Sequence, residues 1–323
     1  MGILRATSEN ILKAAESLRS GNIVAFPTET VYGLGADAFN PQAVAKVFAI
    51  KERPEFNPLI LHINSIEQLK LVADCINPFF EKIINSFWPG PLTVVIPKKK
   101  IVPDIVTAGH QTVAVRMPSN RVALELIQKL GNPIAAPSAN IFGRLSPTTA
   151  GHVEDQLGNR IEIILDDGPS EVGVESTIIE LTDEKVFLLR HGGIPVEEVE
   201  AIVGEKIEQK ISEENPNAPG QLKTHYSPSK PMMFIDELGE KDLSGKKLGG
   251  LFKTGITTDY NFTSAKILSK NSDPHEAAAN LFIFLHEFEH EDIDMILCER
   301  IDDSGLWQAI MDRLEKGVSN FRT

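Results

Sequence analysis

Residues 176–181 and 185–190 are β-rich runs separated only by Thr182, Asp183 and Glu184, and that spacing restricts the fold more than any other stretch. A parallel crossover needs a dozen or more residues, so these two strands must pair antiparallel. Further β-rich runs at 22–26, 58–63, 91–96, 112–116, 133–136 and 161–165 are interspersed with fewer helical segments. The expected architecture is an α/β fold on a mixed sheet, not a purely parallel doubly wound one.

The stretch 205–230 then changes character, with Pro216, Pro219, Gly220 and Pro228 among polar residues, and reads as a linker. Beyond it, 231–235, 247–252, 265–269 and 294–299 read as strands, with helices near 275–289 and 306–316, which predicts a small parallel α/β domain. The chain divides into a domain over 1–204, a linker over 205–230 and a second domain over 231–323. A length of 323 residues, 42% of them hydrophobic and 24% charged, is enough for two cores.

Residues 1–20 place Ile11, Leu12, Ala15 and Leu18 at helical spacing among Arg5, Glu9, Lys13, Glu16 and Arg19. An amphipathic first helix is expected, without the apolar centre of a signal peptide. The apolar run 281–285 falls far short of the roughly 20 residues a membrane span needs, so no membrane association is expected. Cys75 and Cys298 are the only cysteines, which excludes a cysteine zinc site and suits a reducing, cytoplasmic location. The net charge of −13 is shared by both halves of the chain, so tight nucleic-acid binding is not expected.

Two motifs point elsewhere. His286, Glu287 and His290 spell the H-E-x-x-H of zinc metalloproteases. About 100° per residue puts Leu281, Phe284, Leu285 and Phe288 on one helix face and both histidines on the other, which predicts a solvated face and no zinc. Gly33, Gly35 and Ala38 form a G-x-G-x-x-A run, but Thr28 to Tyr32 separate it from the preceding strand, and the next strand ends in His62 instead of a ribose-binding acid. A tight loop is expected there. No Walker A sequence is present.

Polar residues gather at the predicted strand ends, where α/β folds place ligands. Taken singly, each has a bland reading: Thr28 and Thr30 as turn formers, Ser138 and Asn140 as a helix cap, Lys51 and Arg53 as a solvated helix terminus, Arg116 and Arg190 as surface cations. Their joint order changes that reading. The segments 27–35 (PTETVYGLG), 51–54 (KERP), 57–59 (NPL) with His62, 88–93 (WPGPLT), 112–118 (TVAVRMP), 135–140 (AAPSAN), 146–148 (SPT) and 175–177 (EST) follow the order of the YrdC-like domain. Segment 219–228 (PGQLKTHYSP) resembles the linker of the longer form of the threonylcarbamoyl-AMP synthase family, although Gln221 and Leu222 replace the methionine and basic residue of many relatives.

This resemblance implies a strongly twisted mixed sheet around an open basic cavity, followed by a Rossmann-like domain. It implies a nucleotidyltransferase that condenses L-threonine, bicarbonate and ATP into threonylcarbamoyl-AMP and pyrophosphate, the first step of tRNA threonylcarbamoyladenosine formation. By the same resemblance Lys51 and Arg53 are the catalytic pair. Arg53, Asn57, Thr112, Ser138, Asn140, Ser146, Arg190 and Tyr226 hold ATP, and Thr28, Thr30, His62, Arg116, Ala136 and Ser176 surround L-threonine. Mg2+ enters with ATP, and a tRNA threonylcarbamoyl transferase is the implied downstream partner. Four clustered cations in an acidic chain need an anionic ligand, which a triphosphate and a carboxylate supply. The linker is expected to cover the cavity, because a carbamate and an acyl-adenylate both decompose in water. The competing reading is an RNA-binding or ribosome-maturation factor that uses the same cavity. The carbamoyl-transfer domain of hydrogenase maturation proteins shares the fold but needs cysteine-rich zinc motifs.

Overall fold

The computed structural model describes residues 2–75, 77–210, 218–220, 225–239, 243–301, 304–319 and 321. Gln221 and Leu222, and the linker positions 211–217, 223 and 224, lie outside the described residues. The first part of the chain runs β1 (Gly2–Arg5), α1 (Ser8–Arg19), β2 (Val24–Phe26), β3 (Gly33–Asp37), α2 (Pro41–Lys51), β4 (Ile60–His62), α3 (Ile66–Val72) and α4 (Phe80–Phe87). It continues through β5 (Leu92–Pro97), α5 (Asp104–Thr107), β6 (Thr112–Arg116), α6 (Arg121–Leu130), β7 (Ile134–Ala136), α7 (Ala150–Leu157), β8 (Ile163–Asp166), β9 (Thr177–Leu181), β10 (Val186–Arg190), α8 (Val196–Val203) and β11 (Glu208–Gln209). The second part comprises β12 (Met232–Phe234), β13 (Leu248–Phe252), β14 (Ser264–Ile267), α9 (Pro274–His290), β15 (Met295–Cys298) and α10 (Leu306–Ser319).

The strands β1 to β11 form one mixed sheet in the order β1-β8-β2-β3-β7-β4-β6-β5-β9-β10-β11. As the three-residue spacing requires, β9 and β10 pair antiparallel. The second sheet, β12-β15-β13-β14, is parallel throughout. An apolar cluster ties the two parts together: Val31, Leu145 and Val174 pack with Tyr226 and with Leu281, Phe282 and Ile310 of α9 and α10. Gly173, at φ 75°, approaches α9 so closely that a Cβ there would lie 2.3 Å from the Ala278 carbonyl oxygen.

Three expectations are corrected. Residues 1–20 are not one helix. Gly2–Arg5 pairs in parallel register with β8, and the helix begins only after Thr7, whose hydroxyl accepts from the Asn10 amide at 3.3 Å. The 33–38 run is no loop but the buried strand β3, between β2 and β7. Its glycines make room for neighbours: a Cβ on Gly35 would lie 2.7 Å from Ile134 Cγ2 and 2.9 Å from Phe26 Cε1. Gly35→Ala is therefore expected to cost about 1–3 kcal/mol by overpacking, read as a lower urea midpoint, and an unchanged midpoint would contradict the close approach.

The third correction concerns His286, which is buried and not solvated, because the face of α9 opposite its apolar stripe docks on the first domain. Its Nε2 lies 3.1 Å from the Ser146 carbonyl, and its ring stacks on His152 of α7 at 3.8 Å. His290 remains exposed beside Asp155. No group of three or more metal-ligating side chains occurs among the described residues.

Candidate active site

The central strands set the cavity floor. Ile60 pairs with Ala114 on one side and Ala136 on the other, and His62 with Arg116 and Ile134. Ile60, Val95, Ala114, Ile178, Leu189 and Ala218 form a small apolar cluster, so linker residue Ala218 packs against the floor strands. Alternation along β6 puts Thr112, Ala114 and Arg116 on one face, with Thr112 about 13 Å from Arg116. The register between β9 and β10 slips between Leu188 and Arg190. Such bulges re-aim side chains, and here Arg190 is turned inward.

Above this floor lies a cavity with about 520 Å³ of empty space, counted out into the solvent at its mouth. Of the residues the sequence singled out, Thr28, Thr30, Arg53, His62, Arg116, Ala136, Ser138, Ser176, Arg190 and Tyr226 line it. Pro219, Gly220 and His225 of the linker join the lining and roof part of the cavity. Gly220 sits at φ 85°, and a Cβ there would lie 2.8 Å from Arg190 Cδ. Only a residue without a side chain lets the linker pass this close to the cation.

The bland readings of the cations fail, since Lys51, Arg53, Arg116 and Arg190 are all buried. The end of α2 explains two of them: Glu52 adopts a left-handed φ of 56°, which turns the chain so that Lys51 and Arg53 both point inward. Arg53 donates to the carbonyls of Asn57 at 3.1 Å and Pro58 at 2.9 Å. Arg116 donates to Thr30 Oγ1 at 2.8 Å and the Gly90 carbonyl at 3.2 Å, and pairs with Glu29 at 2.6 Å. Arg190 donates to the Ser176 carbonyl at 2.9 Å and its hydroxyl at 3.1 Å. Burial lowers the pKa of both Arg53 and Arg190, with Arg190 and Arg313 respectively as repelling neighbours. An anion in the cavity would relieve that repulsion.

The other singled-out residues stand around the lining. Lys51 lies behind the wall, where its ammonium donates to the carbonyls of Ser138 and Asn140. Asn140 uses its own amide on the Ile141 and Arg144 carbonyls, shaping the loop that presents Ser138. The Ser146 hydroxyl donates to Glu175 at 2.5 Å. Asn57 is buried next to Arg53 with neither carboxamide atom hydrogen-bonded to another protein group. Sequence reasoning gave no role to Glu29, Glu175 or Arg313. The first two lie inside recognised segments and could have been marked as counter-charges, whereas nothing in the sequence links Arg313 to them.

Burial keeps three histidines neutral. His62, His152 and His225 each have a pKa pushed down to about 3 by desolvation, aided by Arg116, His286 and Arg53 respectively. The unfolded chain, with ordinary imidazoles, takes up protons first as the pH falls, so stability must drop below the unfolded value near 6.5. A loss of a few kcal/mol is expected between about pH 7 and about pH 5, with no comparable change above pH 7. Glu175, held down to about 2 against its burial by Arg313 and Arg190, extends the decline below its unfolded value of 4.5. Urea midpoints at the two pH values check this. Equal midpoints would mean that the histidines are not buried as neutral rings.

Residues 16–192 match the Sua5–YciO–YrdC family, described as telomere recombination, and residues 194–319 match the C-terminal domain of threonylcarbamoyl-AMP synthase. The chain is 42% identical to the threonylcarbamoyl-AMP synthase of Pyrococcus abyssi, over 96% of this chain and 94% of that one. This chain belongs to the threonylcarbamoyl-AMP synthase family. A second member of the family, from Bacillus subtilis, is 40% identical over 98% of this chain and 94% of its own length. The fold agrees over its full extent: the crystal structure of P. abyssi Sua5 complexed with L-threonine superposes with a TM-score of 0.89 at 41% identity, covering 99% of this chain and 97% of that one. The mixed sheet followed by a parallel α/β domain is thus the family's architecture, as the sequence led us to expect.

Proposed function

We propose that this chain converts L-threonine, bicarbonate and ATP into threonylcarbamoyl-AMP and pyrophosphate, and so acts as a nucleotidyltransferase in the first step of tRNA threonylcarbamoyladenosine formation. One observation carries the reading: Arg53, Arg116 and Arg190, from three distant stretches of an acidic chain, converge on one cavity roofed by the linker. Arg116, with the Thr30 hydroxyl 2.8 Å away and neutral His62 beside it, suits a carboxylate flanked by an amine and a hydroxyl. Arg53 and Arg190, with Ser138 beside them and Asn57 next to Arg53, would receive a triphosphate.

The threonine amine would take up the bicarbonate carbon to form a carbamate, with loss of water. A carbamate oxygen would then attack the α-phosphorus, and the bond to the bridging oxygen breaks as pyrophosphate leaves. Arg53 and Arg190 meet the charge that accumulates on that leaving group, and the Pro219, Gly220 and Tyr226 roof keeps water from both labile species. The carboxylates beside the cavity's arginines, Glu29 and Glu175, are engaged by Arg116 and Arg313, so they do not offer themselves as metal ligands. Magnesium therefore belongs to the nucleotide in this reading: it would arrive on the phosphates of ATP as part of the substrate.

The product would call for a partner that transfers the threonylcarbamoyl group to tRNA, and the reading assigns the work to the cytoplasm, which the free Cys75 and Cys298 suit. No helix among the described residues is long and apolar enough to cross a membrane. The RNA-binding alternative is not favoured, since the full-length relatives are threonylcarbamoyl-AMP synthases and the net charge is −13. Incubation with carbon-13 bicarbonate, ATP, magnesium and L-threonine, followed by mass spectrometry, tests the reaction. The adenylate should retain the label, and an unlabelled adenylate or none would reject it.

A further inference from the structure

Glu175 is an anomaly in the cavity. It lines the space beside Arg190, where the proposed function puts the phosphates of ATP, and an ionised carboxylate there would repel them. The second domain answers this. Arg313 of α10 has no solvent-exposed side-chain surface, and its Nε and Nη2 reach the same Glu175 oxygen, Oε2, at 3.0 and 2.9 Å. The other oxygen, Oε1, accepts the Ser146 hydroxyl at 2.5 Å. Both carboxylate oxygens are thereby engaged, one by a cation from the other domain. The same helix holds the roof: Lys316 donates to the Gly220 carbonyl at 2.8 Å, and the Arg313 guanidinium lies 5.3 Å over the Tyr226 ring.

The threonine side of the cavity has a different source of neutrality. Its cation, Arg116, is balanced by Glu29 within the first domain and takes nothing from α10. The two halves of the site therefore depend unequally on the second domain. We propose that Arg313 is a positioning residue for ATP: it cancels the charge of Glu175, so that the C-terminal domain completes the nucleotide half of the cavity and leaves the threonine half unaffected.

The proposal rests on the synthase reading, and its test separates the two. ATP and L-threonine are titrated separately, by calorimetry, into the full chain and its variants. If the wild type binds neither ligand, the synthase reading fails and this proposal falls with it. If it binds both, the variants decide. Arg313→Gln keeps a hydrogen-bond donor but removes the charge, and should weaken ATP at least about tenfold while threonine stays within about twofold, in line with losing one partner of a buried charge pair. Adding Glu175→Gln removes the charge that Arg313 balances and should bring ATP affinity back to within about threefold of the wild type. A purely structural role for Arg313 would weaken both ligands together and would not be rescued by the second change. Either of those outcomes, or unchanged ATP affinity in Arg313→Gln, overturns the proposal. If Arg313→Gln does not fold, Arg313→Lys and the double variant carry the test. Both should bind ATP within about threefold of the wild type, and a tenfold loss in either overturns it.

Discussion

Arg116→Ala is expected to cost more than any other single change in the cavity, in stability and in activity together. Arg116 and Glu29 are each about 4% exposed and pair at 2.6 Å, so truncation leaves a buried carboxylate without its cation. Breaking a buried pair from one side costs about 3–5 kcal/mol, because the remaining charge stays desolvated. The Coulombic pull of Arg116 is what holds the Glu29 pKa down against its burial, and without it that carboxyl would protonate far more readily. The proposed partner of the threonine carboxylate is lost at the same time, so kcat/KM for threonine should fall at least about a hundredfold. Urea denaturation and steady-state kinetics read the two effects. An Arg116→Ala protein with ordinary stability and an unchanged KM for threonine would show that the pair is neither structural nor part of the site.

Lys51→Met should rank next, for a different reason than the sequence suggests. By resemblance Lys51 belongs with Arg53 as a catalytic pair, yet its ammonium is spent on the Ser138 and Asn140 carbonyls behind the cavity wall. Methionine fills the same volume but leaves the buried Asn140 carbonyl and the half-buried Ser138 carbonyl without their donor, at about 1–3 kcal/mol each, less for the half-buried one. A loss of roughly 2–5 kcal/mol is therefore expected, with a fall in kcat/KM that follows the displacement of Ser138. Denaturant midpoints beside ATP affinities distinguish the roles. Full stability combined with abolished turnover would place Lys51 on the substrate and not behind it.

Much of this was legible in the chain, for identifiable reasons. The short connection between β9 and β10 fixed their antiparallel pairing, a constraint that needs no tertiary information. The order of the motifs assembled the cavity, since Thr30, His62, Arg116, Ser176 and Arg190 all face it. What escaped depended on contacts distant in sequence. Gly2–Arg5 is a strand only because β8 lies alongside it, and Gly33–Asp37 is one because β2 and β7 pair with it, its glycines leaving room for Phe26 and Ile134. His286 was placed on a solvated face because helical periodicity identifies one apolar face and cannot see a second domain docking on the opposite one. Arg313 has an exposed-looking sequence context and a fully buried position, and only the fold brings it to Glu175.

The most direct test of the account is pyrophosphate release by the purified protein with ATP, magnesium and bicarbonate, measured with and without L-threonine, beside Arg53→Ala. Release that requires threonine, and that falls at least about a hundredfold in the variant, is the predicted result. ATP turnover indifferent to threonine, or no turnover at all, would contradict the assignment of this cavity to threonylcarbamoyl-AMP synthesis.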